Sequence, residues 1–90
     1  MKADSGKVKR RLNIIRGQVE GIIKMVEEDR YCIDISNQII AVISALKSLN
    51  QEVLSAHLSH CVQTGLMSGD EEDMKAKLDE IKDVIKKLSR

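Results

Sequence analysis

A chain of 90 residues has room for one domain, and at this size folding hides only roughly 60–65% of the unfolded surface, so association with further copies is a natural source of stability. Charged residues make up 32% and hydrophobic ones 42%, with no Pro, Phe or Trp and a single Tyr, which excludes a large aromatic core and a base-stacking platform for single strands. The formal net charge is only +1, yet residues 1–16 hold Lys2, Lys7, Lys9, Arg10, Arg11 and Arg16 against Asp4, a local excess of positive charge that points to an anionic partner, nucleic-acid phosphate before others.

The N-terminus has no apolar run of the signal-peptide kind. Residues 32–66 are broken by Asp, Asn, Gln, Lys, Glu and His, so no transmembrane helix and no membrane partner are expected. The expectation is a cytoplasmic protein with reduced thiols. Two Cys in that setting point to metal binding or redox chemistry before a structural disulfide.

In chain order, residues 1–6 read as a frayed start with Asp4 or Ser5 as a possible N-cap. From about Lys7 to Asp29, Val8, Leu12, Ile15, Val19, Ile22, Ile23 and Val26 keep a helical period. Gly17 and Gly21 inside this helix suggest close approach of another backbone, the long helix that follows. Asp29-Arg30-Tyr31 is a short turn. Apolar residues then recur at Ile35, Ile39, Val42, Leu46, Leu49 and Val53, widened by Ile40, Ile43 and Leu54, which predicts one very long helix from Cys32 to near Gly65. Its apolar surface exceeds what one small chain can cover. Gly65 and the run Met67-Ser68-Gly69-Asp70 supply a stop and a new cap. A third helix over roughly Glu71–Leu88 places Met74, Leu78, Ile81, Val84, Ile85 and Leu88 on one face. It starts acidic and ends basic, with Lys86, Lys87 and Arg90, which matches the helix dipole and needs no functional explanation. The reading is one all-α domain over residues 1–90.

Chemistry concentrates on Cys32, His57 and Cys61. His57 and Cys61 stand four apart on a helix, so one ion can reach both side chains. Cys32 is the natural third ligand, but 29 residues of continuous helix span about 44 Å, so it has to come from another chain. An antiparallel pair would bring it there, with the two-fold axis near Ala45 and Leu46 and with Ala41, Ser44, Ala45 and Ser48 as small packing residues. Two thiolates and one imidazole suit a soft monovalent ion, Cu(I), better than Zn(II), which normally takes four ligands in a structural site. His60 points about 100° away on the helix and is a poor fourth ligand. From spacing alone three readings stay open: a shared metal site, inert core residues, or thiol redox chemistry.

Residues 11–22 (RLNIIRGQVEGI), 29–35 (DRYCIDI), Gln38-Ile39 and 57–62 (HLSHCV) together resemble the bacterial copper-sensitive operon repressor family, which includes nickel- and cobalt-sensing relatives, and the likeness covers nearly the whole chain. The resemblance implies a helical four-helix-bundle dimer, assembling to a dimer of dimers, that represses transcription without a winged helix and holds its effector between subunits. It places the copper ligand pattern on Cys32, His57 and Cys61. Nickel and cobalt sensors put His at the position of Cys61, and persulfide sensors lack the His. The resemblance also gives the ligand His outer partners, Tyr31 and a Glu whose position falls on Lys77, with Glu80 one turn on as the substitute. The family's basic residue midway along the second helix falls on Ser48, beside Lys47.

The expected function is therefore a Cu(I)-responsive repressor that binds double-stranded operator DNA without metal through Lys7, Lys9, Arg10, Arg11, Arg16 and Lys47 and releases it on binding Cu(I), freeing copper-efflux genes. A repressor whose Cys32 and Cys61 respond to sulfane sulfur is the nearest alternative. A helical metal buffer or interaction module that touches no DNA is an alternative of another class. No base–nucleophile–orienter set and no phosphate-cradling Gly loop is visible, so no enzyme is expected.

Overall fold

The computed structural model describes residues 1–88, apart from the side chains of Leu66 and Ser68; Ser89 and Arg90, and with them the expected basic contribution of Arg90, lie outside the described residues. Three helices follow one another: α1 over Ser5–Glu27, α2 over Cys32–Ser68 and α3 over Glu71–Leu88. Among the described residues no strand occurs, and the all-α expectation stands.

Each helix end has a local cause. The Asp4 carboxylate accepts the backbone N–H groups of Gly6 at 3.0 Å and Lys7 at 3.3 Å, so Asp4 is the cap and α1 begins two residues earlier than its apolar period announced. At its other end Asp29 takes a left-handed φ of 52°, its N–H donates to the Val26 carbonyl at 3.1 Å, and the Arg30 N–H donates to the Met25 carbonyl at 3.0 Å. These two bonds satisfy carbonyls the helix would otherwise strand, and a short polar Asp tolerates the conformation better than most residues.

The described residues form two compact units. In the first, Asp4–Asn50, α1 packs with the leading half of α2. Val8 and Ile15 on α1 and Val42 and Leu49 on α2 are its buried residues. In each helix they are seven apart, two turns, so each pair lies on one face. Arg11 Nη2 donates to Ser48 Oγ at 3.1 Å, and Ala45 lines a small cavity with Ile14, Ile15 and Gln18 of α1. Two of the small residues expected to line a contact between copies therefore face α1 instead. Among the bulkier residues of this half of α2, Ile39, Ile43 and Leu46 are uncovered at 44%, 46% and 44% exposure, and Ile33 and Ile40 more so. Gly17 and Gly21 correct a further expectation: among the described residues, a Cβ at either would meet nothing within 4 Å beyond its own stretch of helix backbone.

The second unit comprises Met1–Ala3 and the residues from Gln51 onward, where the trailing half of α2 packs with α3. Gly65 does not stop α2, which continues to Ser68 and ends at Gly69, where φ is 68° and the N–H donates to the Gly65 carbonyl at 3.0 Å. Asp70 then caps α3, accepting the Asp73 N–H at 3.1 Å. Gly65 has another task. A Cβ there would overlap Met74 Cε and lie 2.8 Å from Met74 Sδ, so the thioether rests on the bare backbone of α2. Replacing a mid-helix Gly by Ala normally stabilises by about 1 kcal/mol, but overpacking costs about 1–3 kcal/mol. Met74 Cε is the free end of a flexible, half-buried side chain that can swing aside, so only a small part of that cost applies: Gly65→Ala should raise the urea unfolding midpoint, and by more in a Met74→Ala background.

The stretch Cys32–Gly65 of α2 is long and apolar enough to cross a membrane by length and composition. That corrects the expectation that no segment reaches this mark: its polar residues are scattered singly among Ile, Leu and Val, and only Asp34, Lys47 and Glu52 are charged. The same character suits a helix that packs others along much of its circumference.

Candidate metal centre

Of the three expected ligands, the chain itself brings two together. His57 Nε2 lies 3.6 Å from Cys61 Sγ, one helical turn apart on α2. Cys61 is 4% exposed and His57 is half-buried, so the pair sits where a soft ion would be shielded from water. His57 and Cys61 would hold a soft ion from one face of α2, supplying one nitrogen and one sulfur donor. The donor set fits Cu(I), for which thiolates are selective.

Cys32 is the first residue of α2, exposed and free. Among the described residues no group of three or more His, Cys, Asp or Glu is assembled within the chain. Tyr31 is exposed in the turn before α2. His60, set aside as a ligand, pairs with Thr64, Nε2 to Oγ1 at 3.3 Å.

Helix α3 contributes the cation Lys77 to the unit that holds Cys61. Lys77 Nζ lies 2.9 Å from Asp73 Oδ2, and that hydrogen bond, followed by the Asp73 charge, holds the ammonium above the usual lysine range. The Cys61 and Glu80 side chains act in the same direction more weakly. Glu80 itself is exposed on α3. The sequence singled out Lys77 only as a departure; its pairing with Asp73 follows an i, i+4 spacing that was there to be read.

The basic residues are distributed on α1 and α2 with differing freedom. Lys7, Lys9, Arg10 and Arg16 are exposed on α1 and Lys47 on α2. Arg16 also donates to Asn13 Oδ1 at 2.8 Å, whereas Arg11 is half-buried and held by Ser48. Arg11 orients α1 against α2 as well as carrying charge.

Known proteins resemble this chain in sequence and fold. Residues 4–87 match the family model described as a metal-sensitive transcriptional repressor. The copper-sensing transcriptional repressor CsoR of Bacillus subtilis (strain 168) is 42% identical over 97% of this chain and 83% of its own length. The copper-sensing transcriptional repressor RicR of Mycobacterium tuberculosis (strain ATCC 25618 / H37Rv) is 52% identical over 67% of the chain, which spans only 62% of RicR. Among solved structures, the Cu(I)-bound copper-sensing repressor CsoR of Geobacillus thermodenitrificans NG80-2 superposes with a TM-score of 0.80 at 41% identity, covering 94% of this chain and 85% of that one. The nickel-responsive transcriptional regulator InrS gives a TM-score of 0.86 at 30% identity, covering 92% and 93%. With the match running from the cap of α1 to the last turn of α3, the chain belongs to the metal-sensitive transcriptional repressor family.

Proposed function

We propose that this chain is a Cu(I)-responsive repressor in the cytoplasm, that residues 1–90 work as one sensing and DNA-binding domain, and that the metal site is completed by Cys32 of a second copy. The observation that carries the reading is the His57–Cys61 pair, 3.6 Å apart around a buried thiol, with no third His, Cys, Asp or Glu grouped with it among the described residues. The uncovered Ile39, Ile43 and Leu46 supply an apolar seam for a second α2 running antiparallel, and further pairing of dimers gives the tetramer. Likeness to copper-sensing relatives supports the choice of metal, and two thiols per site favour Cu(I) over the nickel of the other structural neighbour.

The residues divide the work. Cys61 and His57 present sulfur and nitrogen from one chain, Cys32 presents sulfur from the other, and both thiols lose their protons to solvent on binding. Lys7, Lys9, Arg10 and Arg16, with Lys47, face phosphates of the duplex in the metal-free state. Loaded and unloaded conformations differ in how they set these helices, and the metal shifts DNA affinity only by its preference between them. Burial of Cys61 and its contact with His57 weigh against a sulfane-sulfur sensor, whose thiols must be accessible to the oxidant.

The test takes double-stranded DNA selected by the reduced, metal-free protein from random sequence. One equivalent of Cu(I) per chain should weaken binding to that DNA at least tenfold, and Cys32→Ala should bind it normally with no response. Unchanged binding of the native protein on adding Cu(I) would refute the reading; failure to select any DNA would leave a metal buffer as the function.

A further inference from the structure

The short turn between α2 and α3 fixes which residues meet across them. Met74 rests on Gly65, and Leu54 and Leu58 line one cavity with Ile81 and Ile85. Stepping one turn back along α2 from Gly65 and one turn forward along α3 from Met74 brings Cys61 level with Lys77 and Leu78. The Lys77 ammonium, half-exposed and bonded to Asp73 at 2.9 Å, is thus the α3 charge at the level of the buried thiol.

A filled site is anionic: two thiolates, a neutral imidazole and one Cu(I) sum to a net charge of −1. An anion appearing in a shielded place attracts the nearest mobile cation and competes with that cation's existing partner.

We propose that Lys77 is the counter-charge of the loaded site, exchanging Asp73 for the anionic Cys32–His57–Cys61 centre, so that α3 registers whether metal is bound. The proposal rests on the Cu(I) reading above and deepens it. It makes Asp73 a competitor of the site and Lys77 its supporter, although the two form one ion pair. A structural ion pair predicts the same sign for the loss of either partner; partner exchange predicts opposite signs.

The experiment measures Cu(I) affinity of the full chain, reduced and anaerobic, by competition with a chromophoric Cu(I) chelator, alongside thermal unfolding without metal. Lys77→Met should weaken Cu(I) binding about three- to tenfold, Lys77→Arg should restore it to within about twofold, and Asp73→Asn should tighten it about two- to fivefold. The tightening should vanish in a Lys77→Met background. The metal-free unfolding midpoints should move little, as expected for an exposed pair. Tight binding by the native chain with equal affinities across the series, or with both losses moving it in one direction, would overturn this proposal alone. A native chain that takes up no Cu(I) would overturn it together with the repressor reading.

Discussion

Mixing Cys32→Ala and Cys61→Ala chains should restore Cu(I) binding that neither variant shows by itself, at one ion per mixed dimer. In such a dimer the Cys32→Ala chain offers an intact His57–Cys61 pair and the Cys61→Ala chain offers an intact Cys32. One of the two sites is whole and the other lacks both thiols. A site confined to one chain would stay broken in every combination. The separate variants should lose more than the roughly 10–100-fold in affinity that removing an outer partner of a ligand causes, because a direct sulfur–metal bond is gone. Chelator competition on co-refolded, differently tagged chains reads the stoichiometry. No recovery in purified mixed dimers would place the third ligand elsewhere.

Binding to duplex DNA should collapse when Lys7, Lys9, Arg10 and Arg16 are changed together to Gln, while the Cu(I) affinity stays as it was. Each phosphate contact contributes about −0.9 to the slope of log K against log salt, so four contacts from one chain give a slope near −3.6 and roughly a hundredfold loss between 50 and 200 mM salt. The quadruple variant should bind at least that much more weakly at low salt and show a flatter slope. Arg11 belongs in a separate experiment: its guanidinium is engaged with Ser48, so Arg11→Gln loosens α1 from α2 as well as removing charge. A native slope near zero in fluorescence anisotropy titrations would rule out this surface.

Much of this was legible from spacing, and the remainder fails for identifiable reasons. Apolar periods of three and four, the acidic start and basic end of α3 and the His57–Cys61 spacing each express local geometry, and all three helices lie within a few residues of their expected ends. Gly65 was misread because a helical glycine can end a helix or admit a neighbour, and only Met74 decides between them. Ala45 and Ser48 were assigned to a contact between copies because smallness says nothing about which neighbour arrives. The Arg11–Ser48 bond, 37 residues apart in sequence, settles the direction. Cys32 could be separated from its co-ligands by helix length alone, since a rise of about 1.5 Å per residue needs no tertiary information. The Asp73–Lys77 pairing was available as an i, i+4 spacing, but its position at the level of Cys61 depends on how α3 docks.

The bare Ile39, Ile43 and Leu46 along α2 have a consequence for how such a sensor lives in a cell. If their water-facing surface is covered only by another copy, folding and assembly become a single mass-action equilibrium, and dilution itself works as a denaturant. A newly made chain then has neither a finished fold nor a finished receptor until it meets its twin, so scarcity of the regulator silences sensing before it silences synthesis.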